Sequence, residues 1–231
     1  MDFENGELKV DKRTMARYID HTLLKPDAAA GAVLKLCEEA AQWRFASVCI
    51  NPVFVPLATE KLKNTGIRVC TVTGFPLGAS APETKIHEAR LAVLQGAGEI
   101  DMVIRIGAIK EGRYDLVGDD IAGVVKGVRE INEGVIVKVI IEACLLTDDE
   151  KVQACRTVKA AGAHFVKTST GFSSGGATLR DIVLMRQTVG PDIGVKAAGG
   201  IRTTAQAIEF IKAGATRIGT SSGVAILQEL P

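Results

Sequence analysis

Three lysines lie in apolar, β-branched segments that predict strands, where charged side chains are uncommon. Lys138 stands in VIVKVIIEA, Lys167 in HFVKTS and Lys196 in GVKAAG, each 29 residues after the one before. Asp101, in EIDMVIRI, lies in the preceding strand segment. One strand–helix unit has about this length. Because side chains alternate along a strand, we expect the lysines to share one side of the sheet with Asp101.

Such a cluster suits imine formation between a lysine and a carbonyl substrate. A free lysine has a pKa of about 10.4 and is almost wholly protonated at neutral pH. A second ammonium group nearby, together with partial desolvation, can lower a lysine pKa by roughly three units, worth about 4 kcal/mol. The neutral amine can then attack a carbonyl carbon. Asp101 could move protons as the carbinolamine and enamine form and collapse.

The alternative is that these lysines are structural. Any one of them could reach solvent from a strand end or pair with a carboxylate. Lys138 is the most readily explained in this way, through Glu142 or Asp101. Arg105 has the same parity as Asp101 and is expected to face inward too. For the whole cluster the structural explanation is weaker, because several buried ammonium groups are costly unless they are paired or used.

Eight strand candidates alternate with helical patterns along the chain. The predicted strands are Tyr18–Thr22, Ala46–Ile50, Arg68–Thr73, Glu99–Ile106, Val135–Ala143, His164–Ser169, Gly194–Ala198 and Arg217–Ser221. The predicted helices include Ala28–Trp43, Val53–Asn64, Pro82–Gly96, Leu116–Ile131, Asp148–Ala161, Leu179–Val189 and Thr204–Ala213, with a short one at Val224–Leu230.

This alternation predicts an α/β fold of the (β/α)8 TIM-barrel type. We expect a single domain over residues 1–231, with residues 1–17 as a polar N-terminal extension. An open doubly wound sheet is the competing fold. It would carry a GxGxxG turn after the first strand, where this sequence has HTLLKPD.

Glycine-rich turns follow the last two predicted strands and indicate a phosphate site. Barrel enzymes often bind phosphate in these loops, beside a short extra helix. The turns AAGGIRTT and RIGTSSG, together with TSTGF after Lys167, supply small or hydroxyl-bearing residues: Thr168, Gly171, Gly199, Gly200, Gly219, Ser221 and Ser222. The alternative is that these glycines only form tight turns.

Composition excludes several classes of function. The formal net charge is +1, so there is no electrostatic reason to expect nucleic-acid or membrane-surface binding. No apolar run approaches the length of a membrane span. The five cysteines lack disulfide or zinc spacing, and the N-terminus lacks an apolar signal segment. We therefore expect a cytoplasmic protein.

Several motifs together resemble the deoxyribose-phosphate aldolase family. They run in order from about Tyr18 to Leu227 and comprise IDHTLLKP, SVCINPVFV, TVTGFPLG, EIDMVI, VKVIIEACLLT, HFVKTSTGF, GVKAAGGIR and RIGTSSGVAI. The pair HFVKTSTGF and VKAAGGIR is highly specific to that family.

The resemblance implies an activity and residue roles. Enzymes of the family reversibly cleave 2-deoxy-D-ribose 5-phosphate to D-glyceraldehyde 3-phosphate and acetaldehyde, without a metal or organic cofactor. By this resemblance Lys167 is the Schiff-base lysine, Lys196 the second lysine that perturbs it, and Asp101 the acidic proton-transfer residue. The GGIR and GTSS turns match the phosphate-binding backbone. The resemblance also implies a homo-oligomer, either a dimer or a tetramer, and a role in deoxyribonucleotide catabolism.

Three departures from the family pattern and two rival functions are to be weighed. Many relatives have asparagine where this sequence has Arg105, and some have a phosphate-binding lysine where it has Phe172. Some relatives also have a C-terminal tail that ends in a tyrosine and reaches the site, whereas this sequence stops at Pro231. Another Schiff-base barrel aldolase with a different sugar phosphate or a ketone donor is one rival. A non-catalytic sugar-phosphate sensor is the other, although loss of Lys167 or Lys196 would be expected of it.

Overall fold

Eight parallel strands close into a barrel. The computed structural model describes residues 2–4 and 7–231. Two short antiparallel strands, β1 (Asp2–Glu4) and β2 (Glu7–Lys9), precede the barrel. Each barrel strand pairs with the next one along the chain, and the last pairs with the first. The barrel strands are β3 (Ile19–Leu23), β4 (Ser47–Ile50), β5 (Arg68–Thr73), β6 (Glu99–Val103), β7 (Ile136–Ile140), β8 (Phe165–Lys167), β9 (Gly194–Ala198) and β10 (Arg217–Thr220).

Helices connect the strands, as the predicted TIM barrel requires, and that prediction of fold class is confirmed. They are α1 (Lys12–Ala16), α2 (Ala30–Trp43), α3 (Val55–Lys61), α4 (Pro82–Leu94), α5 (Ile106–Lys110), α6 (Tyr114–Arg129), α7 (Asp148–Ala160), α8 (Leu179–Val189), α9 (Thr204–Lys212) and α10 (Gly223–Gln228). None of the helices in the described part of the chain is long and apolar enough to cross a membrane.

Apolar and charged side chains alternate along the strands and therefore point to opposite sides of the sheet. Ile100 and Met102 of β6, and Val137 and Val139 of β7, are fully buried in the core that also includes helix side chains. The residues between them, Asp101 among them, point the other way and meet across the barrel interior. The same alternation that builds the core therefore concentrates the ionisable groups inside.

One predicted strand is followed in the structure by a helix that begins within its predicted range. The predicted strand Glu99–Ile106 ends at Val103, and helix α5 begins at Ile106. Arg105 caps that helix and is exposed, so the expectation that it faces the interior is wrong.

The N-terminal extension contains a helix that the sequence analysis did not predict. The Asp11 side chain accepts the Thr14 backbone N–H at 2.7 Å and begins α1. Met15 and Ala16 are buried in the main core. Residues 1, 5 and 6 of the predicted extension lie outside the described residues.

Candidate active site

The carboxylate of Asp101 binds all three interior lysines. Its Oδ2 accepts from Lys167 Nζ at 2.8 Å and from Lys196 Nζ at 2.7 Å, while Oδ1 accepts from Lys138 Nζ at 2.7 Å. Asp101, Lys138 and Lys196 have no exposed surface, and Lys167 is 3% exposed. The structure thus brings together the four residues that the strand pattern singled out.

The three lysines do not lie at one level. Lys167 is directly opposite Lys196 in the strand register. Lys138 is opposite Phe165, two residues nearer the amino end of β8, which is a drop of about 6.6 Å. The expectation of related positions holds for Lys167 and Lys196. It fails for Lys138, because spacing in sequence does not reveal the stagger between strands.

A second set of charges lies beneath this group. Lys196 Nζ also contacts Asp20 at 2.6 Å, and Lys138 Nζ contacts Glu99 at 2.7 Å. Arg217 bridges these two carboxylates, at 2.5 Å to Asp20 and 3.3 Å to Glu99. The sequence pattern did not reveal Glu99 or Arg217. Glu99 has the parity of Asp101, and that signal could have found it.

The electrostatics fix most of these groups in their charged forms. Burial lowers the pKa of Lys196, but the carboxylates of Asp101 and Asp20 more than offset it, so its pKa is raised. Burial also opposes the charge on Lys138, and Asp101, with Glu99 and Asp20, raises the pKa of Lys138 well above its usual range. Burial disfavours the Asp101 carboxylate, yet the three lysines hold its pKa well below its usual range.

The interior cluster carries an excess of positive charge. Four cationic side chains inside the barrel (Lys138, Lys167, Lys196 and Arg217) share three carboxylates (Asp20, Glu99 and Asp101), and the half-exposed Arg68 lies 3.9 Å from Glu99. Loss of one proton would balance the set. Lys167 contacts one carboxylate, whereas Lys196 contacts two and Lys138 three within 4 Å. The proton of Lys167 is therefore held by the fewest opposite charges.

A cavity of about 370 Å³ opens at the carboxyl ends of the strands, and Lys167 lines it. Lys138, Lys196 and Asp101 are not among its lining residues. Of the predicted phosphate-site residues, five line the cavity: Gly171, Gly199, Gly200, Gly219 and Ser221.

Thr168 and Ser222, also predicted for the phosphate site, do not line the cavity. The Thr168 hydroxyl donates to Ala198 O and accepts from Ala198 N, both at 3.1 Å. Ser222 precedes α10, and its backbone N–H donates to Thr220 Oγ1 at 2.9 Å. The hydroxyl of Thr168 therefore joins two strands, and Ser222 lies in the turn that leads into α10.

Glycine is needed at the opening of this cavity for two different physical reasons. Gly199 and Gly200 have φ values of 90° and 81°, which side chains rarely tolerate. Gly219 has ordinary backbone, but a Cβ there would lie 3.0 Å from Lys196 Cε. Gly219 therefore leaves room for the buried lysine as well as lining the cavity.

Two unpaired cations and an aromatic pair border the cavity. Lys25 and Arg202 line it, are exposed, and have no carboxylate within 4 Å in the part of the chain that the structure describes. The sequence pattern did not reveal Lys25, which follows the first barrel strand in HTLLKP. Phe172, half exposed, stacks edge-on against Phe75 with ring centroids 5.2 Å apart.

Two thiols beside Asp101 raise the question of a metal. Cys49 Sγ, Cys70 Sγ and a carboxylate oxygen of Asp101 lie within 4.8 Å of one another. However, Lys138 Nζ is 3.2 Å from Cys70 Sγ, and two more ammonium groups contact Asp101. Burial also raises the pKa of Cys70 well above its usual range, which disfavours the thiolate that metals require. The donor set does not fit a resident cation.

Comparison with known proteins shows the family to which this barrel belongs. Residues 14–229 match the family described as "DeoC/LacD family aldolase". A deoxyribose-phosphate aldolase of Geobacillus sp. is 58% identical over 218 residues, covering 94% of this chain and 96% of its own. One of Streptococcus gordonii is 60% identical over 212 residues, covering 92% and 94%.

Solved structures point the same way. The tetrameric deoxyribose phosphate aldolase of Aeropyrum pernix has a TM-score of 0.87 and 35% identity, covering 94% of this chain and 91% of its own. An aldolase named QR15 has a TM-score of 0.87 and 37% identity, covering 93% and 95%. The match covers the chain from before the first barrel strand to beyond α10. The chain therefore belongs to the DeoC/LacD family of aldolases, which are carbon–carbon lyases.

Proposed function

We propose that this aldolase reversibly cleaves 2-deoxy-D-ribose 5-phosphate to D-glyceraldehyde 3-phosphate and acetaldehyde through a Schiff base on Lys167. One observation carries the proposal. Of the three interior lysines, Lys167 alone lines the cavity, and it contacts the fewest carboxylates. It is therefore the amine that a carbonyl carbon can reach and the one with the fewest carboxylates around it.

The reaction follows from these positions. The neutral Lys167 amine attacks C1 of the open-chain aldehyde, and loss of water leaves a protonated imine. Removal of the C3 hydroxyl proton then breaks the C2–C3 bond. The electrons of that bond move toward the imine nitrogen, which gives an enamine and glyceraldehyde 3-phosphate. Protonation of the enamine carbon and hydrolysis then release acetaldehyde and restore the lysine.

Asp101 and Lys196 would serve the proton transfers. Asp101 Oδ2 touches both Lys167 and Lys196, so a proton can pass between the two amines along one carboxylate oxygen. Lys196 remains an ammonium. Burial lowers its pKa, but Asp101 and Asp20 raise it by more. Its positive charge disfavours a second ammonium at Lys167.

The phosphate would lie at the glycine-rich end of the cavity. Gly171, Gly199 and Gly200 would allow close backbone approach there, and Ser221 would add a hydroxyl donor. Lys25 and Arg202 would add positive charge. Gly219 belongs to the same wall. This reading retains the predicted phosphate residues other than Thr168 and Ser222 and adds two cations to them.

Borohydride reduction in the presence of acetaldehyde tests the covalent step. A reduced adduct is expected on the peptide that contains Lys167, and Lys167→Ala should be inactive. Turnover without an adduct, or an active Lys167→Ala variant, would refute the mechanism. Turnover of fructose 1,6-bisphosphate instead of deoxyribose 5-phosphate would refute the substrate and favour a different barrel aldolase.

The remaining expectations complete the proposal. The chain would act as one domain over residues 1–231, need no metal or organic cofactor, and work in the cytoplasm in deoxyribonucleotide breakdown. We also propose a homo-oligomer, supported by the tetrameric Aeropyrum pernix relative. Light scattering coupled to size exclusion would give the number of chains directly.

A further inference from the structure

Glu142 is a buried carboxylate that the proposed reaction does not use. It follows β7 and is 2% exposed. From the sequence either Glu142 or Asp101 could pair with Lys138, and the structure shows Asp101 in that place. The Glu142 oxygens accept from Thr170: the backbone N–H at 3.2 Å and the hydroxyl at 2.5 Å. No lysine or arginine of the described chain lies within 4 Å of it. The interpretation as a partner of Lys138 is therefore wrong.

The backbone at Glu142 is held in an unusual conformation. Its φ of 51° and ψ of 63° lie in the left-handed region, which costs a residue with a side chain on the order of 1–3 kcal/mol. The flanking amides are both fixed, since Ile141 N donates to Lys167 O at 3.0 Å and Ala143 N donates to Thr168 O at 2.8 Å. The left-handed turn between them places the carboxylate against Thr170.

Through Thr170, the carboxylate orders a wall of the cavity. Thr170, Gly171 and Phe172 all line the cavity, whereas Glu142 does not. The Thr170 hydroxyl donates to Glu142 and accepts the Phe172 N–H at 3.0 Å. A carboxylate only accepts, so it directs the hydroxyl proton toward itself and leaves the oxygen lone pair for Phe172. An amide would also offer a donor, and could reverse this arrangement.

We propose that Glu142 is a positioning residue that fixes the 170–172 wall for the phosphate end of the substrate. The inference rests on the proposed function, since it assumes that a phosphorylated sugar occupies this cavity. Lys167 itself is held by the Ile141 amide, which does not depend on the Glu142 side chain. The effect should therefore fall on phosphate binding and leave imine formation intact.

The test compares Glu142→Gln, Thr170→Val and the double variant. Hydrogen bonds to charged groups are strong enough that Glu142→Gln should raise KM for deoxyribose 5-phosphate about tenfold or more. The value of kcat should change by less than about threefold, and borohydride trapping of acetaldehyde, which carries no phosphate, by less than about twofold. In the Thr170→Val background the Glu142 change should have a smaller effect on KM than in the wild type.

Asp181→Asn is the matched control. Asp181 is also buried and accepts from a threonine hydroxyl, Thr178, at 2.8 Å, but it lies away from this cavity. The Asp181→Asn variant should have a lower melting temperature and an unchanged KM for deoxyribose 5-phosphate. An unchanged KM in Glu142→Gln, or acetaldehyde trapping slowed as much as turnover, would overturn the proposal.

Two further measurements keep the proposal testable. If Glu142→Gln does not fold, Thr170→Val alone must raise KM, and an unchanged KM there would overturn the proposal. If the wild type does not cleave deoxyribose 5-phosphate, the proposed substrate is wrong. Calorimetric binding of inorganic phosphate to wild type and Glu142→Gln still decides the role of Glu142, since equal affinities would overturn it.

Discussion

Replacing Lys196 with methionine removes a positive charge at a known distance from Lys167. Both nitrogens contact Asp101 Oδ2, at 2.7 and 2.8 Å, so they can be no further apart than the sum of these distances, about 5.5 Å. At an effective dielectric constant near 20, two charges at that separation repel by about 3 kcal/mol. Since 1.36 kcal/mol is tenfold, we expect Lys196→Met to slow imine formation by Lys167 about a hundredfold at neutral pH.

The assay is the rate of borohydride-trapped imine formation with acetaldehyde, measured from pH 7 to pH 10. The deficit of Lys196→Met should be about a hundredfold at pH 7 and should shrink as rising pH removes the proton from Lys167. Lys151→Met is the matched control, because Lys151 is a buried lysine paired with Asp181 outside the barrel interior. A deficit that stays constant with pH would refute the electrostatic argument and leave Lys196 acting only as a proton carrier.

Three other outcomes are expected. Lys85→Met should destabilise the protein by about 3–5 kcal/mol in urea unfolding, because it leaves Asp120, now 2.5 Å from Lys85 Nζ, buried without its cation; a loss below about 1 kcal/mol would contradict this. Although burial opposes it, the lysines hold the pKa of Asp101 well below its unfolded value of about 3.9, so its contribution to stability is complete above that pH and is lost as pH falls below it. Urea unfolding at pH 6, 4 and 3 checks the sign. A disulfide-exchange reagent should modify one thiol per native chain, at exposed Cys144, and none in Cys144→Ser, because the other four cysteines are buried.

Much of the barrel could be predicted because strand alternation and helix periodicity are local. β5 and β9 coincide with their predicted bounds, Arg68–Thr73 and Gly194–Ala198, and α8 with Leu179–Val189. The meeting of Lys167, Lys196 and Asp101 also follows from parity alone. Such features need no knowledge of how distant strands align.

Features that depend on register or on single backbone angles could not be predicted. Lys138 sits two residues lower than its spacing suggests, because closure of the barrel staggers the strands. Glu142 misses Lys138 because one left-handed residue turns its side chain toward Thr170. Arg105 lies outside the barrel interior because β6 ends at Val103, two residues before it. The sequence carries no local signal for any of these.

The hydroxyl of Thr168 has a consequence for motion in the barrel. Strand β8 is only three residues long. Just beyond it the Thr168 backbone N–H donates to Lys196 O at 3.1 Å, and the Thr168 side chain holds both the N–H and the C=O of Ala198, the last residue of β9. Hydrogen bonds made by a side-chain hydroxyl can be broken by one rotamer change, whereas backbone–backbone hydrogen bonds of a sheet open cooperatively. Amide hydrogen exchange at Ala198 should therefore be faster than at Lys196, and it would report local opening of the seam between the two lysine-bearing strands.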